Sequence, residues 1–212
     1  MTLAATFAAL MAVLALIAIP LPFTPVPVTL QVLGVYLAAA LLGPVYGALA
    51  CLIYLALGAA GLPVFAGATS GLPILMGPLG GYLLSYPVAA AMGGAIGRAR
   101  SSSKHNDAIR LFVACAAALS VVYLVGVLWL AAFLELGIFR AALLGVVPFV
   151  PFDALKAVAA VPIAVRIRWA HLALPVGRRQ RTPRLSRLAR DKAQLYLGSA
   201  GKGMVCSLGR LP

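Results

Sequence analysis

The sequence predicts an all-α, polytopic membrane protein of six transmembrane helices, with both termini cytoplasmic and a small-molecule site in the outer half. Three observations carry that expectation. No Asp, Glu, Lys, Arg or His precedes Arg98. Only lipid leaves so long a stretch of surface uncharged, since a bilayer core penalises each Lys, Arg or Asp by a few kcal/mol. The composition, 63% hydrophobic and 10% charged with a mean hydropathy of +1.05, lies well outside the globular range. Apolar runs near membrane-spanning length recur along the chain between Pro, Gly and basic breaks.

The six segments run approximately over 3–19, 28–42, 45–60, 79–97, 111–134 and 152–167. The first has no basic residues before its apolar run and continues into Pro20-Leu-Pro22, a poor cleavage site, so it reads as a retained helix rather than a signal peptide. Gly43-Pro44 alone separates the second from the third. Gly77-Pro78 precedes the fourth, which ends at Arg98. The fifth lies between Arg110 and Glu135, and Pro151 is placed to open the sixth, which stops at Arg166 and Arg168.

The net charge of +13 is concentrated at one end. Residues 178–212 hold nine of the seventeen Lys and Arg against one acid, Asp191. This stretch has too little apolar surface to fold, which divides the chain into a membrane domain over 1–170 and a basic, disordered cytoplasmic tail over 171–212 that lies along anionic lipid. The basic connection from Arg98 to Arg110 and the basic stretch after segment six are cytoplasmic by the positive-inside rule. Cys51, Cys115 and Cys206 stand far apart without CxxC spacing, which predicts neither a disulfide framework nor a zinc site. No cofactor is implied.

Three connections then fall outside, over 20–27, 61–78 and 135–151, all rich in Pro, Gly and aromatics. Irregular backbone near membrane depth survives where protein buries it or where it lines a cavity. The middle connection reads either as an apolar linker resting on its own bundle or as a cap over a ligand. Only Glu135, Arg140, Asp153 and Lys156 bring charge to the outer side. Asp153 and Lys156, at i and i+3 after Pro151, share one helix face. One reading is a helix-start acid neutralised by its neighbour. The stronger reading is a site, because an ionisable residue inside a membrane is a functional candidate by default. The pair sets an acceptor beside a donor, complementary to a cyclic urea or amide. Further candidates are Gln31, Thr69, Tyr82 and Ser85, of which Gln31 also suits a helix-to-helix hydrogen bond. Phe23, Phe65, Trp129 and Tyr82 are aromatic residues able to wall a pocket or to anchor at the interface.

Pro25-Val-Pro-Val-Thr29-Leu-Gln31, Gly58-Ala-Ala-Gly61-Leu-Pro63-Val-Phe65-Ala-Gly67, Gly77-Pro78-Leu-Gly80-Gly81-Tyr82 and Val147-Pro148-Phe149 through Asp153-Ala-Leu-Lys156, in that order, resemble the BioY-type biotin-specific S component of energy-coupling-factor vitamin transporters. The resemblance runs from the first helix to about Arg168. It implies capture of biotin from outside, in partnership with a transmembrane coupling subunit and two ATPase subunits. It also implies that Asp153 and Lys156 hold the ureido ring while Gln31, Thr69, Tyr82 and Ser85 serve the valerate carboxylate and the ring oxygen, or the reverse pose with Lys156 on the carboxylate. Leu79 stands where the family commonly has threonine, and the basic tail is unlike the family. Docking of such proteins through an alanine-spaced first helix points to Ala4, Ala8 and Ala12 as the partner face, with Gly93 and Gly97 as the competing one.

Other functions fit poorly. Intramembrane proteolysis needs a second membrane aspartate or a serine with a histidine, and His105 and His171 fall outside the predicted spans. A phosphate loop is excluded at Gly201-Lys202 by Tyr196 and Gly203. Nucleic-acid binding by the tail lacks interleaved aromatics. A stand-alone secondary carrier or channel for a small amphipathic solute is the alternative, without the paired broken helices or charge ladder that would support it.

Overall fold

The structure, a computed structural model, describes residues 1–99 and 103–170. The expectations for the tail over 171–212, Cys206 included, lie outside the described residues. The elements are helix α1 (Thr2–Leu16), two short strands β1 (Ala18–Ile19) and β2 (Val28–Thr29), α2 (Gln31–Ala59), α3 (Leu72–Met76), α4 (Gly80–Gly97), α5 (Lys104–Phe133), α6 (Ile138–Gly145) and α7 (Val150–Trp169), with a 3-10 turn at Ala66–Ala68.

Helix α2 is a hairpin. Gly43 adopts φ +77° inside it, a left-handed conformation that glycine tolerates, and Pro44 starts a new helix without needing the lost N–H. Gln31 Nε2 donates to the Tyr54 hydroxyl. In one straight helix those residues would lie about 34 Å apart. The limbs 31–42 and 44–59 therefore run antiparallel, matching the second and third apolar segments. The other four segments match α1, α4, α5 and α7. The apolar helices form a helical membrane protein whose exposed surface carries Val13, Val45, Leu52, Val88, Leu124 and Val158.

The boundaries differ where polar chemistry extends a helix. Helix α5 starts seven residues before the apolar run because the Ser103 hydroxyl accepts the Asn106 N–H at 3.2 Å, capping a first turn that sits among charged residues. Segment one ends earlier than expected. Ala18–Ile19 leaves the helix to pair antiparallel with Val28–Thr29, which closes the Pro-rich connection into a loop. Hydropathy alone does not register so short a ladder. Helices α3 and α6 occupy the second and third outer connections, and α6 meets α7 at a bend of 51°.

Helix α1 packs chiefly on α2, and this corrects the expected partner face. Ala4 and Ala8 are fully buried, Ala4 in a cluster with Ala38, Leu42 and Ala50, and Ala12 is half-buried. Their small size serves close approach within the chain. The competing Gly93 is also internal, since a methyl group there would meet the Ala114 carbonyl and Ala118. The side of α1 left exposed carries Thr2, Ala5, Thr6, Ala9 and Val13.

Candidate substrate site

All three Pro- and Gly-rich connections meet at one end of the bundle, where they roof a cavity of about 580 Å3 including its opening. Val26 and Pro27 come from the first connection, Phe65 and Ile74 from the second, and Gly145 and Phe149 from the third. Helix starts complete the wall, with Gln31 and Val32 from α2, Tyr82 and Tyr86 from α4, and Asp153 and Lys156 from α7, opposite Val122 and Tyr123 of α5. The far end of the bundle holds the basic residues. Arg98 stands about 24 Å along α4 from Tyr82.

Asp153 and Lys156 are both buried, at 4% and 7% exposure, and Lys156 Nζ donates to Asp153 Oδ1 at 2.6 Å. The Tyr123 hydroxyl donates to Asp153 Oδ2 at 2.7 Å. Each carboxylate oxygen thus has one protein donor and keeps acceptor capacity, and the ammonium keeps two further N–H donors. A ligand presenting N–H beside C=O satisfies both sets, and water exclusion strengthens each bond. The remaining wall is mostly apolar.

Gln31 lines the cavity and also ties the α2 limbs together. Its Oε1 accepts from the Thr29 hydroxyl at 2.9 Å, and the Tyr54 hydroxyl, which accepts from Gln31 Nε2, itself donates a hydrogen bond to the Val64 carbonyl at 2.8 Å. The relay fixes the helix hairpin to the middle connection, whose Phe65 is fully buried with its ring edge-on to Tyr54 at 5.6 Å. Tyr82 is held by its hydroxyl, which donates to the Gly145 carbonyl at 3.0 Å. Its ring fills a slot that side chains at Gly126 or Gly145 would occupy. Gly126→Val is therefore expected to expel the ring and cost about 1–3 kcal/mol of stability. The readout is the melting temperature in detergent, and an unchanged value would mean that the ring has another seat.

Four of the six sequence candidates, Asp153, Lys156, Gln31 and Tyr82, come together here. Ser85 and Thr69 do not line the cavity. The Ser85 hydroxyl turns back onto the Tyr82 carbonyl at 2.6 Å, the local bond that a helical serine makes when no other acceptor is near. Thr69 is exposed and its hydroxyl donates to the Ala66 carbonyl at 3.0 Å, closing the 3-10 turn. Of the aromatics, Phe65 and Tyr82 line the cavity, Phe23 is exposed, and Trp129 binds the middle connection by donating to the Gly77 carbonyl at 2.9 Å. Tyr123 was not marked by sequence reasoning. The available signal was a lone tyrosine within the long apolar run of α5.

Residues 1–172 match the sequence profile of the BioY family. The chain is 42% identical over 167 residues to a Pyrococcus horikoshii protein described as a probable biotin transporter BioY, an alignment covering 79% of this chain and 94% of the relative. It is 41% identical over 165 residues to the biotin transporter BioY of Thermotoga maritima, covering 78% and 93% respectively. The fold matches a crystal structure of the S component for biotin from an ECF-type ABC transporter with a TM-score of 0.70 at 30% identity, covering 79% of this chain and 89% of that one.

Proposed function

This chain belongs to the BioY family, and from that premise we propose that it captures biotin in the cavity beneath the three connections and delivers it as the S component of an energy-coupling-factor transporter. The observation that carries the reading is the buried Asp153–Lys156 pair in the cavity wall. Asp153 accepts the ureido N–H groups of biotin, Lys156 donates to the ureido oxygen, and the apolar wall takes the thiophane ring and valerate chain. The valerate carboxylate lies toward Gln31 and Tyr82, with Thr29 and Tyr86 as further donors. The protein alters no bond in its ligand and is not an enzyme.

In this reading each of the six apolar segments crosses the membrane once, with the cavity facing outward and the basic end in the cytoplasm of a prokaryotic cell. The partners are a transmembrane coupling subunit and two ATPases, with anionic lipid near the basic end and no nucleic acid. Residues 177–212 are dispensable for uptake, and truncation after Val176 tests this.

Titration of the purified full-length chain with biotin and with biotin amide tests site and pose together. Tight binding of both is expected, because the only cation lining the cavity among the described residues is Lys156, already paired with Asp153. Selective loss of the amide would put Lys156 on the carboxylate, and no binding of either would remove the assignment. Uptake is expected only when the coupling subunit and ATPases are co-expressed. Uptake by the chain alone that an uncoupler abolishes would instead mark a self-sufficient carrier.

A further inference from the structure

The end of the bundle opposite the cavity holds a second buried carboxylate. Asp107, in the first turns of α5, is 0% exposed. Its Oδ2 accepts the Trp169 indole N–H at 3.3 Å, and its Oδ1 lies 3.7 Å from Arg168 Nη2. Lys104 Nζ stands over the Trp169 ring, 5.8 Å from its centroid. This buried carboxylate at a helix start does not line the ligand cavity described above.

The cluster joins the same two helices that the cavity joins. At the cavity end Tyr123 of α5 meets Asp153 of α7, and at the far end Asp107 of α5 meets Trp169 of α7. The intervals match, 107 to 123 on one helix and 153 to 169 on the other, each about 24 Å of helix. Two polar contacts at equal spacing on antiparallel helices are satisfied together in one register only. Lipid supplies no hydrophobic drive between helices, so polar contacts between them weigh heavily in fixing their register. A slip of one residue moves a side chain by about 1.5 Å, enough to break a 2.7 Å hydrogen bond.

We infer that Asp107 is a positioning residue for the ligand site. By clamping α5 to Arg168 and Trp169 of α7 it sets the register that places the Tyr123 hydroxyl on Asp153, and so fixes the orientation of the ligand-accepting carboxylate. The inference rests on the proposed binding role of Asp153.

The test is biotin affinity of the full-length chain in detergent for Asp107→Leu, Tyr123→Phe and the double variant, with melting temperatures alongside. Asp107→Leu is expected to raise Kd by about tenfold, and to raise it far less when Tyr123 is already Phe, because residues acting through a shared contact are non-additive. Loss of general stability alone would lower the melting temperature and leave Kd and the cycle unchanged or additive, which overturns the inference. If Asp107→Leu fails to fold, Asp107→Asn, which keeps an acceptor for Trp169 and loses the charge, decides in the same cycle. An unchanged Kd in Tyr123→Phe beside a lost one in Asp153→Asn would overturn the clamp and leave the site standing. An unchanged Kd in Asp153→Asn would overturn the site itself.

Discussion

Asp153→Asn is expected to weaken biotin binding by at least about a hundredfold, corresponding to roughly 3 kcal/mol for removing one member of a buried hydrogen-bonded charge pair. Two losses contribute. The ligand N–H groups meet an amide in place of a carboxylate, and Lys156 keeps a buried charge with no counter-ion. The second loss also destabilises the empty protein, by about 3–5 kcal/mol for an uncompensated buried charge. Binding and stability therefore fall together in the single variant and must be separated. The double variant Asp153→Leu/Lys156→Met does so, since an apolar replacement of a whole buried pair is often neutral for folding. Its melting temperature is expected to return toward that of the parent while biotin affinity stays lost. Recovery of affinity along with stability would show that the pair holds the helix start and nothing else.

The membrane character and the apolar helices were legible because lipid imposes composition directly. A charge-free stretch up to Arg98 and breaks at Gly43-Pro44 and Gly77-Pro78 leave few ways to arrange apolar helices. The acid and base that line the cavity stood out for the same reason, as charge in an apolar helix has to be explained. Tyr123 was harder. A tyrosine in a long apolar helix serves equally as interface anchor, packing residue or donor, and only the α5–α7 register puts its hydroxyl on Asp153. The hydroxyls of Thr69 and Ser85 show the opposite case. Both lie in the right region of the chain, and both are taken by carbonyls three residues away. Sequence proximity to a site does not report where a short side chain spends its proton.

Asp107 was obscured by its neighbours. Flanked by Lys104, His105 and Arg110 in the basic connection, it reads as one more solvated charge. Its burial depends on α7 ending beside the start of α5, a tertiary fact, with Trp169 and Arg168 arriving from 61 or more residues away along the chain. The Ala4 and Ala8 stripe has a related cause. Small-residue spacing marks a face that another helix approaches closely, and does not say whether that helix belongs to the same chain.

That ambiguity leads to the second large effect, on coupling. Ala9→Trp is expected to abolish biotin uptake by the assembled transporter and co-purification with the coupling subunit, while the isolated chain binds biotin with unchanged affinity. Ala9 is exposed, on the side of α1 that also presents Thr2, Ala5, Thr6 and Val13. Ala5 and Ala9 repeat the four-residue spacing that lets helices meet at short distance, here directed away from the chain's own core. An indole on that exposed side is directed away from the α1–α2 seam and holds a partner helix off. Ala8→Trp supplies the contrast. Ala8 is fully buried in the α1–α2 seam, so the indole overpacks the fold, typically at a cost of about 1–3 kcal/mol, and the melting temperature drops before any partner is involved. Parallel measurement of melting temperature, biotin affinity and uptake for the two variants separates docking from packing. Normal uptake by Ala9→Trp would place the coupling interface on another face of the bundle.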